Sequence, residues 1–356
     1  MARLVLGTDI NNTGTASFVR DVSPAHYIEK VVDANGKLQN STNIIDLNGV
    51  TDVGDYVLAY ACYRVNFPAN TSIDLSGLTT VSGSYACGNM FEKCTGITSV
   101  NLSSLTTVSG GYACCYMFDN CKNITAIDLT SLSSITGGNA CGGMFRDCTG
   151  LTSIDLSSLT TINGNGACSQ MFQSCTSLTS IDLSNLSTIN GGCSYMFGNC
   201  SNLTGVIDLS SLTAVGTNSG SLMYTFQNCT KITSLDLSSL KSIRGSQALY
   251  GMCRGCTSLT SVDLSSLNYI ESNQAFCETF YGATSLTSLS FPALKSTSIA
   301  QSYKNAFDQM CKNIPNITLH FPSNTQTLIE GMTGYSTTAP FGALAGTVLF
   351  DLPATE

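Results

Sequence analysis

Between residues 151 and 175 the apolar positions fall into two groups with different spacings. Leu151, Ile154, Leu156, Leu159 and Ile162 form the first, and Ile154 and Leu156 flank Asp155. That alternation predicts a strand that buries one face and turns Asp155 to the other. Gly164 and Gly166 mark a turn. Ala167, Cys168, Met171, Phe172 and Cys175 then recur at spacings of 1, 3, 1 and 3. This pattern predicts one or two short helical turns with a single apolar face. Serines and threonines lead the chain into the next strand.

The same pattern returns along most of the chain. MFEKCTGITSVNLSSL at residues 90–105 reappears as MFDNCKNITAIDLTSL at residues 117–132. A strand triplet has its middle residue at Asp46, Asp74, Asn101, Asp128, Asp155, Asp182, Asp208, Asp236, Asp263 and Ser290, with a divergent His320. Six of the ten gaps between these positions are 27 residues long, so the unit is a structural repeat. One unit cannot cover its own apolar face, whereas stacked units bury it continuously. The expected fold is an α/β solenoid of about ten coils of ~27 residues, with a parallel β-sheet on one face and short helical turns on the other. Residues 1–40 read as an N-terminal cap or attachment module, 41–322 as the solenoid and 323–356 as a C-terminal cap. Within the caps, residues 3–7 and 347–352 are strand candidates. Residues 26–38 form a hairpin candidate around Asn35-Gly36.

The strand motif L-T-S-I-D-L-S-S-L, followed by M-F-x-x-C-T-x-L, resembles the BspA-type leucine-rich repeats and related repeats of mycoplasma surface lipoproteins. Here the aromatic-cysteine block runs MFEKC, MFDNC, MFRDC, MFQSC, MFGNC and TFQNC through residues 90–229. The resemblance covers residues 43–321. It implies a leucine-rich-repeat-like architecture and a surface or secreted protein engaged in adhesion.

Composition narrows the function further. Only 11% of residues are charged and the formal net charge is -8, which leaves no basic stripe for nucleic acid. The N-terminal residues do not read as a signal peptide, and no apolar run is long enough to span a membrane. The expected setting is therefore a virion or an extracellular or cell surface. Without a leader, a bacteriophage virion component becomes the alternative to a cell-surface adhesin.

Seventeen cysteines suggest disulfides or metal, but slot comparison points to packing. Cys87, Cys114, Cys141, Cys168 and Cys193 share a slot that later holds Leu222, Leu249, Phe276 and Tyr303. Cys94, Cys121, Cys148, Cys175, Cys200, Cys229 and Cys256 share another that becomes Ala283 and Met310. Slots that accept such residues are apolar, so these are expected core thiols. At the adjacent pair Cys114 and Cys115, only one is expected to face the core, leaving the other as the more reactive thiol.

No catalytic residue, metal site or cofactor is expected. His26 and His320 read as isolated, and no phosphate-binding or zinc-protease motif occurs. The aspartate column remains as candidate chemistry. Asp128, Asp155, Asp182, Asp208, Asp236 and Asp263, with Thr152, are the candidate ligand-binding residues of a polar strand face. Carboxylates on adjacent strands should repel and raise one another's pKa. Hydrogen bonds to local hydroxyls such as those of Thr152 and Ser157 would compensate. The expected partner is a host-surface glycan or protein, or else virion structural proteins docking through the terminal segments.

Overall fold

The computed structural model describes residues 51–56, 58–216, 218–299 and 301–355, together with the backbone of 15–16 and 44–46. The strand expected at residues 3–7, the hairpin at 26–38 and His26 lie outside the described residues. Of the 1–40 module only Thr15–Ala16 is described, paired in parallel with Asp52–Val53. The chain groups into two compact units: Met1–Leu159 with Gly164–Ile181, and Thr160–Asn163 with Asp182–Glu356.

Both units are leucine-rich-repeat-like parallel solenoid. In the first, the strands Ile44–Asp46, Asn66–Asp74, Thr95–Asn101 and Ala126–Asp128 pair successively, in a register that places Asp46, Asp74, Asn101 and Asp128 in one row. A second ladder of two-residue strands joins Thr80–Val81, Thr107–Val108 and Ser134–Ile135. In the second unit the corresponding ladders join Thr204–Asp208, Lys231–Asp236 and Ser261–Asp263, and Thr161–Ile162 through Tyr269–Glu271. The chain closes with Ser288–Ser290, Ile317–Pro322 and Gly346–Leu352, the last matching the strand expected at 347–352.

The short helical turns take a specific form, a run of tandem four-residue turns. Through residues 86–94, alternate N–H groups close local turns, as in Met90 to Cys87 O and Cys94 to Phe91 O. The intervening N–H groups reach the next coil, as in Cys87 to Ala113 O, Asn89 to Cys115 O and Phe91 to Met117 O. Every backbone donor in this stretch is thereby satisfied without an α-helix. The geometry requires a left-handed residue at every fourth position, here Tyr85, Asn89 and Lys93, with φ between 51 and 59°. Gly143 takes such a position, and a Cβ there would lie 2.4 Å from the Tyr116 ring. Coils approach most closely at a glycine row. A Cβ on Gly137 would sit 2.2 Å from the carbonyl oxygen of Gly110.

The turns carry two residues inward, then two outward. Ala167, Cys168, Met171, Phe172 and Cys175 are all fully buried, as are Leu151, Leu156, Leu159 and Ile162. Phe91, Phe118, Phe145 and Phe172 stack face to face at 5.0, 5.4 and 5.5 Å between centroids. The twelve thiols assigned to the core are all buried. They also serve as donors. Sγ of Cys121, Cys148 and Cys175 reaches the carbonyl of Phe91, Phe118 and Phe145 at 3.0, 3.3 and 3.2 Å. Where threonine replaces the methionine before the phenylalanine, its hydroxyl makes a similar bond, Thr279 to Leu249 O at 2.8 Å.

One expectation about the thiols fails. Cys114 and Cys115 are both buried, at 1% and 5% exposure. Cys115 occupies the row of Gly88 and Gly142, where the neighbouring coils leave room for a side chain against their backbones. Burial pushes its pKa up to about 12, so it is not a reactive surface thiol.

Candidate functional site

The aspartate row lies where each long strand ends. Oδ1 of Asp128, Asp155, Asp182, Asp208, Asp236 and Asp263 accepts the backbone N–H two residues ahead, at 2.8 to 3.2 Å. Asn101 accepts the Ser103 N–H in the same way at 3.1 Å. Each side chain thus closes a turn that leads the chain off the sheet. The backbone is committed as well, since Leu209 and Leu237 donate to the carbonyls of Asp236 and Asp263 in the next coil. Asp and Asn are selected because only a short side-chain acceptor reaches that N–H.

This local chemistry reverses one expectation. At Asp155 the Ser157 hydroxyl and N–H hold the carboxyl below its ordinary pKa, so repulsion along the row does not dominate there. Ser157 is the expected partner. Thr152 contributes differently, because its carbonyl accepts the Thr179 hydroxyl at 3.1 Å. That bond belongs to a ladder of threonine hydroxyls reaching back one coil, with Thr125 to Thr98 O and Thr260 to Thr233 O as further rungs.

Among the described residues, shallow grooves lie on the strand face of each unit. One, in the first unit, has a volume of about 400 Å³ and is lined by Ser72, Ser99, Asn101, Asp128 and Thr130. The other, in the second unit, has about 490 Å³, with Asp236 and Asp263 beside Ser234, Ser261, Val206 and Pro292. Both grooves mix carboxylate, hydroxyl and apolar surface. Val206 is 61% exposed. Val206 pairs with Ser234, which pairs in turn with Ser261, so the valine stands in the outward row that serine fills in the next coils. The column of aspartates did not reveal it. The signal was a valine two places before Asp208, where the LTSIDL units have serine.

The turn face carries groups that the repeat pattern did not single out. Tyr56, Tyr85 and Tyr112 stack at 5.1 and 4.7 Å, with Tyr56 47% exposed. Asp119 is buried against Arg146, whose Nε and Nη2 meet its two oxygens at 2.8 and 3.2 Å. The guanidinium also lies 4.7 Å from the centre of the Tyr116 ring. Burial raises the Asp119 pKa although the arginine pulls it down. His320, expected to be isolated, has Nδ1 at 2.9 Å from the Asp351 carboxylate, brought there by the closing strand. Among the described residues, no three His, Cys, Asp or Glu side chains converge as a metal set. No described helix is long and apolar enough to cross a membrane.

Sequence comparison finds the BspA type Leucine rich repeat region over residues 88–221 and 194–332. No curated protein matches the chain. Among solved structures, a leucine-rich repeat protein from Bacteroides ovatus is 18% identical, with 88% of this chain and 83% of that chain covered and a TM-score of 0.42. The leucine-rich repeat protein of T. pallidum is also 18% identical, covering 61% and 78%, with a TM-score of 0.33. A leucine-rich cell surface protein from Faecalibacterium prausnitzii is 16% identical, covering 83% and 88%, with a TM-score of 0.24.

Proposed function

The chain belongs to the BspA-type leucine-rich repeat family, and from that premise we propose that it is a non-enzymatic recognition scaffold displayed on a cell or particle surface. Its strand face binds a glycan or protein rich in hydroxyl or cationic groups, and the groove of the second unit is the principal contact.

One observation carries this reading. Asp236 and Asp263 each use Oδ1 for the local turn, and both line a groove that also exposes Val206. Two acceptors one coil apart, with serine hydroxyls and an apolar wall beside them, suit sugar hydroxyls or a lysine or arginine side chain. The shallowness of the groove fits an extended partner better than a small metabolite.

The test uses a substitution that native Asn101 already demonstrates. Asp236→Asn with Asp263→Asn keeps the turn acceptor and removes both charges. Purified full chain is screened against arrayed glycans and surface-exposed host proteins, and each hit is measured again with the double variant. Binding that falls at least tenfold in the variant, at unchanged stability, supports the reading. Binding that is indifferent to both substitutions, or found only on the turn face, overturns it.

A further inference from the structure

The turn run of the first unit displays tyrosine at positions that strain it. Tyr56, Tyr60, Tyr85, Tyr112 and Tyr116 all take left-handed geometry, with φ between 51 and 58°. A bulky side chain is disfavoured there, and asparagine or glycine is the low-strain choice. Other coils of the same rows make that choice. The amides of Tyr112 and Asn139 form equivalent bonds, to Gly138 O and Asn165 O, and those of Tyr60, Asn89 and Tyr116 do so to Gly88 O, Cys115 O and Gly142 O. Core packing does not offset the strain, because Tyr56, Tyr60 and Tyr112 are 47, 44 and 39% exposed. Strain without burial points to a surface kept for contact.

The rings are held in place before any partner arrives. Tyr85 lies between Tyr56 and Tyr112, nearly parallel to both, at 5.1 and 4.7 Å. Tyr60 meets Tyr63 edge to face at 5.8 Å, while Arg64 and Arg146 lie over the rings of Tyr63 and Tyr116 at 5.0 and 4.7 Å. Stacking hides ring faces, so the row does not offer the open aromatic plane on which a sugar ring lies. It presents phenol hydroxyls and ring edges, the positive end of the aromatic quadrupole. The outward positions around them are small or polar, as at Ser84, Asn89 and Gly111. Tyrosine with serine, glycine and asparagine is the composition of antibody paratopes, where rigid rings give contact area at low entropic cost.

Charge selects the partner. Glu92 and Asp119 are buried and answered by Lys93 at 2.6 Å and Arg146 at 2.8 Å. Asp55, beside Tyr56, accepts the Ser84 N–H at 2.6 Å. The further cations of these turns, Arg64 and Lys122, are exposed. A chain of net charge -8 thus gathers hydroxyl donors, positive ring edges and cations on one patch. We propose that this patch is a docking surface for an acidic segment of another protein, whose carboxylates meet the phenol hydroxyls, the ring edges and Arg64.

Panning a random-peptide display library on the immobilised full chain under reducing conditions tests this, with affinities of the synthetic hits read by fluorescence anisotropy. The enriched peptides should be acidic, and added salt should weaken their binding. Tyr60→Asn with Tyr112→Asn installs the residue that Asn89 and Asn139 already place in those rows. The unfolding midpoint should hold or rise, while binding falls about tenfold or more. Arg64→Glu should weaken the acidic peptides and gain affinity for counterparts with lysine at the acidic positions. Asp236→Asn with Asp263→Asn should bind these peptides as the wild type does, so this surface and the strand-face reading fail separately. The proposal is overturned if no acidic sequence is enriched, if the tyrosine variant binds unchanged, if Arg64→Glu keeps the acidic preference, or if the strand-face variant loses the peptides. A lower unfolding midpoint in the tyrosine variant would mean that the rings pack on the chain itself. Self-association in sedimentation that the same variant abolishes would make a second copy the occupant. Either result also overturns the proposal.

Discussion

Asp155→Ala isolates the turn-closing role of the aspartate row, because Asp155→Asn provides an internal control. Asp155 Oδ1 accepts the Ser157 N–H at 2.9 Å from an exposed position. Alanine removes the acceptor and leaves the N–H to water. The comparable loss at a helix N-cap is about 1 kcal/mol, within a range of about 0.5–2, and a lost net hydrogen bond is of similar size. Exposure keeps the value near 1 kcal/mol rather than the larger figure for buried charge-assisted bonds. Asparagine retains an acceptor in the geometry Asn101 already shows with Ser103, so it should cost less than about 0.5 kcal/mol. Urea unfolding with reductant present measures both as shifts in midpoint at constant slope. The difference between wild type and alanine should also depend on pH. The carboxyl is held below its ordinary pKa, so its contribution is complete above about pH 4 and is lost as the pH falls through the depressed value. An alanine variant as stable as the asparagine variant at pH 7 would refute the turn-closing role. Equal losses in both would mean that charge, not the acceptor, is what counts.

Three further outcomes follow from the packing. Gly137→Ala should cost about 2–4 kcal/mol or prevent folding, because the Cβ meets the Gly110 backbone; Gly111→Ala, whose Cβ has one neighbour at 3.9 Å, should stay within about 0.5 kcal/mol. Equal effects by urea titration would count against the close approach of coils. Arg146→Ala strands the buried Asp119 carboxylate and should cost about 2–3 kcal/mol at pH 7, below the fully buried case because Arg146 is itself 31% exposed. Burial already raises the Asp119 pKa and losing the arginine raises it further, so the penalty should shrink as the pH falls and the carboxyl protonates; a pH-independent loss would contradict this. Burial pushes the thiols of Cys115 and Cys121 up to about 12, so iodoacetamide at pH 8 should leave both unmodified until urea is added. Prompt labelling of either, read by peptide mass, would place it outside the core.

The inward positions of the repeat were legible because burial depends only on spacing. Ile154 and Leu156 alternate about Asp155, and Phe172 lies in the core, whatever backbone carries them. The backbone of the turns was less legible. Over nine residues, a pattern of two in and two out differs little from one face of a helix. The discriminating mark was residues that tolerate left-handed geometry at every fourth place, such as Asn89, Asn120, Asn199 and Asn228. The aspartate column was read correctly as polar and outward, but its turn-closing bond depends on an N–H whose direction spacing cannot supply. Cys115 was misread for the opposite reason: its burial is decided by the glycines of neighbouring coils, not by its own unit. Val206 follows from one valine in a slot that serine fills elsewhere, which a consensus repeat smooths over.

The hydrogen bonds between coils run both ways. Amides of the turn run reach forward to the next coil, while thiols reach back to the previous one. Such interlocking makes the length of the chain quantised. Excision of one complete period, for instance 95–121, joins Cys94 to Lys122 and restores an equivalent partner to each donor. Removing a single residue from the turn run instead leaves the donors out of phase. Gene rearrangement can therefore lengthen or shorten such a molecule by whole coils while each surviving junction stays intact.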